Sequence, residues 1–219
     1  MNTSNLYLFQ GLDEPLKQEI SQCAQLVAYK KRDPLFAGDE LLRYFYIVVS
    51  GRLKSYQLNL DNAKEQTIFI LQTGDMIDTI TLLDNKPHDV IYEALDDIQL
   101  LKIPIEKVRN WIKNNETFSK KFFPYLASQM RQIEELATDL SLHTTAERLV
   151  KLIVQNLDPQ NGQKYNLLEG LSHSEIAKTI GTVRHVVERH LHKLEADGLI
   201  HVSHKNILIN NLQKLLTQA

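Results

Sequence analysis

Leu171 to Ile209 is the stretch that most constrains this chain, because its residues specify a helix, a sharp turn, a second helix and a hairpin in that order. Ser172 followed by Glu175 has the spacing of a capping box, which satisfies two backbone N–H groups at a helix start. Ile176, Ala177 and Ile180 share one face of the helix that follows, and Gly181 gives the turn the backbone freedom it demands. A second helix is predicted from near Thr182. Its Val183, Val186, Val187, Leu191 and Leu194 seal it against the first, and Arg184, His185, Glu188, Arg189, His192 and Lys193 occupy the other face. Asp197-Gly198 ends it. Leu199, Ile200 and Val202, then Ile207, Leu208 and Ile209, flank a polar tip from Ser203 to Asn206, which reads as a two-stranded wing.

Two guanidinium groups and a carboxylate within two turns suit a helix that reads base edges in a major groove of double-stranded DNA. The competing expectation is a helical hairpin with a solvated charged face. Charge distribution favours the first. The chain carries net charge −2 overall, but residues 143–219 hold 9 Lys and Arg against 7 Asp and Glu, whereas residues 1–142 hold 16 against 20. Seven of the eight histidines also lie in the second half, so its positive charge grows as pH falls toward about 6. With 219 residues, 43% of them hydrophobic, two domains are expected. No apolar run approaches the roughly 20 residues of a membrane span, and no basic and apolar leader is present at the N-terminus. The single cysteine, Cys23, rules out an internal disulfide and an iron–sulfur cluster, which needs several thiolates. A cytoplasmic protein without a membrane partner is expected.

The first half changes texture twice. Residues 5 to 28 carry Leu6, Leu8, Phe9, Leu12, Leu16, Ile20 and Leu26 around an Asp13-Glu14-Pro15 helix entrance, which predicts one or two short helices. From Val27 to Leu101, β-type runs at 44–49, 53–60, 66–71 and 91–103 alternate with turns at Gly38, Gly51 and Gly74. Runs of this length and spacing predict a small antiparallel barrel or roll. Between the halves, Leu126, Met130, Ile133, Ala137 and Leu140 step by 4, 3, 4 and 3 residues, the spacing of a coiled-coil seam. A core helix inside one domain is the alternative. Pro124 predicts a kink or the start of the straight part, residues 138–142 a hinge, Thr144 to Glu147 a further helix start, and residues 158–162 a loop.

The segments LFAGDE, YIVVSGRLKSYQL and ILQTGDMI, in that order and followed by a helix-turn-helix with a wing, resemble the Crp/Fnr family of bacterial transcription regulators. The resemblance covers nearly the whole chain. It implies an α+β fold: an effector-sensing β-roll (residues 1–115), a dimerisation helix and hinge (116–142) and a winged helix-turn-helix (143–219). It further implies a homodimer on a near-palindromic operator, with RNA polymerase as a partner if the protein activates. No enzyme activity is expected. By that resemblance Arg184, His185, Glu188 and Arg189 contact bases, with His185 where the family usually has a Glu and Glu188 where a small residue is common. Thr182 and Val183 at the helix entrance, together with His173 and Lys193, are expected phosphate contacts. His190 is expected to pack inward and His192 to face out.

Cyclic-nucleotide-binding members carry a Gly-Glu pair and an Arg-Ser pair; the aligned positions here are Asp78 and Thr79, then Asp89 and Val90. An acid in place of the phosphate-binding cation argues against cyclic AMP. Haem remains a candidate cofactor, with His88, the roll's single histidine, as its ligand. A small molecule read by Arg43, Tyr46, Lys54 or Tyr56 is another candidate, and so is no effector. A cupin-like metalloenzyme, the rival from another class, needs several converging ligands, and residues 27–104 supply only His88. A third alternative is a module whose winged helix makes only protein contacts; weak, salt-insensitive DNA binding would mark it.

Overall fold

The computed structural model describes residues 6–155, 157, 168–203 and 206–217. Its described residues form two compact units, one from 1–57 with 69–132 and the other from 58–68 with 133–219.

The chain opens with a 3-10 turn, Tyr7–Phe9, and α1 (Glu14–Cys23), whose first turn is capped by Asp13. There follow β1 (Gln25–Tyr29), β2 (Pro34–Leu35), α2 (Glu40–Arg43), β3 (Tyr44–Ser50), β4 (Leu53–Asn59), β5 (Lys64–Leu71), β6 (Met76–Ile77) and α3 (Thr79–Asp84). Next come β7 (Ile91–Ala94), β8 (Ile98–Pro104) and α4 (Ile105–Asn114). Two four-stranded sheets result, ordered β1-β8-β3-β6 and β2-β7-β4-β5, and the pairs with a given register are antiparallel. This is the expected roll. The continuous β-type run at 91–103 is in fact two strands belonging to different sheets, separated at residues 95–97.

Period-two alternation explains why the roll is covered by helices. On β3, Tyr46 and Val48 join Leu53, Tyr92 and Leu100 between the sheets, while Phe45 and Ile47 face the other way, onto a core with Leu16, Ile20, Trp111, Phe118 and Phe122. Gly51 makes the tight β3–β4 turn at φ +81°. A Cβ there would lie 2.5 Å from the Asp97 carbonyl, so only glycine fits.

Helix α5 (Glu116–Leu142) runs through Pro124 as one element. The expected hinge within residues 138–142 is therefore helical, and the break falls after Leu142, where Thr144 caps α6 (Thr145–Gln155) by a reciprocal bond pair with Glu147. The loop expected at 158–162 lies outside the described residues. Helices α7 (His173–Thr179) and α8 (Arg184–Ala196) precede the antiparallel strands β9 (Ile200–Ser203) and β10 (Asn206–Ile209) and a last helix, α9 (Leu212–Leu216). Among the described residues no helix is long and apolar enough to cross a membrane.

Candidate nucleic-acid interface

Helix α7 starts where its sequence dictates: Ser172 and Glu175 form both bonds of the capping box. Gly181 sits at φ +68° in the turn, and the Thr182 N–H donates to the Ala177 carbonyl at 2.8 Å. A Cβ on Gly181 would meet Leu140 Cδ2 at 2.6 Å and Gln66 Oε1 at 2.9 Å, so the turn is closed against its surroundings. Nearby, Lys178 Nζ pairs with Glu65 Oε2 at 2.5 Å and Gln66 Nε2 donates to the Thr179 carbonyl, which anchors residues 58–68 in the same unit. Helix α8 begins two residues later than expected, at Arg184, with Val183 as an N-cap that offers no side-chain bond. Thr182 and Val183 thus lie at the helix entrance, outside its first turn.

The buried residues of α8 are Val187, Leu191 and Leu194. His185, Arg189, His192 and Lys193 are exposed, on the opposite pole at helical spacing. His190 is half-buried; burial, reinforced by the charges of Arg189 and Lys193, pulls its pKa down and favours the neutral ring. Glu188 Oε1 accepts from Arg184 Nε at 2.7 Å and lies 3.4 Å from His173 Nδ1. Those two groups hold its carboxyl below the usual range. His173 on α7 is thereby tied to α8. No ion pair among the described residues engages Arg189 or Lys193. At the far end of α8, Glu195 Oε1 accepts from the Val202 N–H at 2.9 Å and lies 3.0 Å from His201 Nδ1, which docks the wing on the helix. Glu195 had no place in the sequence reading, because its partners lie beyond the helix end.

Of the residues expected at an effector site, Lys54 and Tyr56 lie together, as do Asp78 and His88. Arg43 is exposed at the end of α2. Tyr46 is wholly buried and donates to Glu40 Oε1 at 2.5 Å, and that same oxygen accepts from Lys102. Lys54 is buried, pairs with Glu93 at 3.3 Å and lies over the Tyr56 ring. Asp78, in the left-handed conformation, caps α3; its Oδ1 is 2.8 Å from His88 Nδ1 and its buried Oδ2 has no hydrogen-bond partner. Thr79 donates to Gln129 Oε1 at 2.8 Å, and Gln129 donates in turn to the Tyr125 hydroxyl, which links α3 to α5. Asp89 is exposed. Among the described residues no group of three or more His, Cys, Asp or Glu is placed to hold a metal ion.

Residues 26–115 match the family model of a cyclic nucleotide-binding domain, and residues 146–217 match that of a Crp-like helix-turn-helix domain. The chain belongs to the Crp/Fnr family of transcription regulators. It is similar to a CRP-like cAMP-activated global transcriptional regulator of Mycobacterium tuberculosis, 23% identical over 97% of this chain and 96% of that protein. It is 26% identical to the cyclic AMP receptor protein of Thermus thermophilus, over 88% of this chain and 87% of that one. The fold matches that of a CooA mutant from Carboxydothermus hydrogenoformans, with a TM-score of 0.77 at 23% identity, covering 98% of this chain and 95% of that one. This Crp/Fnr chain is therefore a DNA-binding regulator with an effector-binding domain. It is not an enzyme, and the cupin-like alternative falls with that assignment, since the matching families are regulators.

Proposed function

We propose that this Crp/Fnr regulator works as a cytoplasmic homodimer, each subunit placing α8 in one major groove of a near-palindromic site whose half-sites lie about one helical turn, roughly 10 base pairs, apart. The observation that carries this reading is the pole of α8: Arg189 and Lys193 stand exposed beside His185, with no ion pair among the described residues to hold them back. Arg189 takes guanine N7 and O6, His185 donates to a base acceptor, and Glu188 either accepts from an amino group or orients Arg184. His173, Thr182, Val183 and Lys193 position the helix on phosphates. Dimerisation uses the seam of α5. Met130 (59% exposed), Ile133 (42%), Ala137 and Leu140 lie open along it in the single chain, and Leu126 packs partly against the core. The functional partition is sensing in residues 1–115, dimerisation in 116–142 and DNA reading in 143–219. RNA polymerase is a partner if the protein activates, and no membrane is involved.

Cyclic AMP in the usual mode is a poor effector here. The acids Asp78 and Asp89 stand where such a ligand needs small and cationic groups, and Thr79 already donates to Gln129. A haem-sensing reading has one observation in its favour: Asp78 engages Nδ1 of His88, the carboxylate–histidine pairing that orients a metal-ligating imidazole through its other nitrogen. An absorption spectrum of the purified protein tests it, a Soret band supporting haem and its absence removing it.

The DNA reading is tested by binding-site selection followed by anisotropy titrations at several salt concentrations. A palindromic site with a guanine read by Arg189, and an affinity that falls steeply with salt, is the expected result. Weak binding that salt leaves unchanged would instead assign the winged helix to protein contacts.

A further inference from the structure

Between α6 and α8 lies a cavity of about 320 Å³, lined by Ala146 and Val150 of α6, by Arg189, His190, Lys193 and Leu194 of α8, and by Asp197 just beyond it. That size falls in the range of small-ligand sites, roughly 300–1,000 Å³. Its lining divides chemically. Ala146, Val150 and Leu194 present an apolar wall, and Val150 and Leu194 are themselves buried. Arg189 and Lys193 bring two cations to the rim against the single carboxylate of Asp197, and His190 is biased toward its neutral form. A guanidinium fork beside an ammonium group is suited to a planar carboxylate, and an apolar wall behind it selects a carboxylate carried on an apolar body.

We propose that this cavity binds a small amphiphilic carboxylate, its apolar body against Ala146, Val150 and Leu194 and its carboxylate at Arg189 and Lys193. The ligand acts on the reading helix itself, because the Arg189 fork cannot hold a carboxylate and a guanine edge together. Occupancy therefore removes this base contact and weakens DNA binding without abolishing it. Only this competition rests on the base-reading role proposed for Arg189; the binding stands on the cavity.

The test titrates octanoate into the full-length protein by calorimetry, with octylammonium and octanol as matched controls. Octanoate is expected to bind below about 1 mM and octylammonium at least about tenfold more weakly. Ala146→Phe, which fills the cavity from α6, should abolish octanoate binding and leave DNA affinity without ligand unchanged. Octanoate should weaken DNA binding by the wild type about tenfold, the order of one lost bidentate base contact, and leave the Ala146→Phe variant unaffected. Should that variant misfold, Lys193→Gln serves instead: it should weaken octanoate about fivefold or more and leave octanol unchanged. The proposal is overturned if octanoate fails to bind at about 10 mM, if octylammonium binds as tightly, or if the substitution at Ala146 leaves octanoate binding intact. Octanoate that binds with these signatures and leaves DNA affinity untouched would keep the site and remove the base-reading role of Arg189.

Discussion

Glu188 shows how one side chain on a reading helix can be held by its neighbours. Arg184 and then His173 lower its carboxyl pKa below the ordinary 4.5. A group whose folded pKa is depressed contributes stability that is fully present above the unfolded value and is lost as pH falls through the folded one. Wild type and Glu188→Gln should therefore differ in urea stability at about pH 5, and the difference should shrink as pH drops below about 4.5. A difference that grows on acidification would show that Glu188 is not stabilised as a carboxylate. Arg189 presents the contrasting case, a cation left available. Arg189→Ala should cost about 1–3 kcal/mol on the selected DNA site and relax preference at a single base pair, readable by anisotropy against a panel of single-base variants.

Among the elements, α7 owes its start to the reciprocal bonds of Ser172 and Glu175. Ser172→Ala should lower the stability of the C-terminal unit by about 1 kcal/mol, within a range of roughly 0.5–2, as measured by urea denaturation. Helix α5 is specified differently along its length. Phe118 and Phe122 bury their rings in the core beside the roll, whereas Met130, Ile133 and Leu140 remain open further on. A helix with this change of environment needs a second apolar surface for its later turns. Ile133→Asp should shift sedimentation-equilibrium mass from dimer toward monomer at micromolar concentration, and DNA affinity should fall with it. An unchanged dimer mass would remove the seam as the interface.

For the whole molecule, the two compact units do not follow the chain in simple order, since residues 58–68 group with 133–219. Lys178–Glu65 and Gln66–Thr179 account for that grouping, each joining residues 113 positions apart. Nothing in local periodicity signals such a pairing. The same is true of Thr79 with Gln129, 50 residues distant, and of Tyr125, whose hydroxyl accepts from the Met76 N–H. These bonds link β6 and α3 to α5, which carries the proposed dimer seam.

The sequence by itself determined what depends on local chemistry and period. Ser172 and Glu175 lie close enough to cap, Gly51 and Gly181 mark turns that a Cβ would obstruct, and alternation on β3 separates two cores; the hydrophobic steps from Leu126 to Leu140 lay out a stripe on one helix. The division of α8 into a buried and an exposed face was legible from Val187, Leu191 and Leu194 at helical spacing, but Val183, expected to seal with them, is 51% exposed because it lies at the N-cap before the helix begins. Tertiary structure decided what requires residues distant in the chain to meet. It divided residues 91–103 between two sheets, paired Asp78 with His88, tied Glu195 to the wing, and opened a cavity between α6 and α8 beside Arg189. The physical reason is that capping and amphipathicity are satisfied within a few residues, whereas partners for buried polar groups and the gaps between packed helices exist only once the chain has folded back on itself.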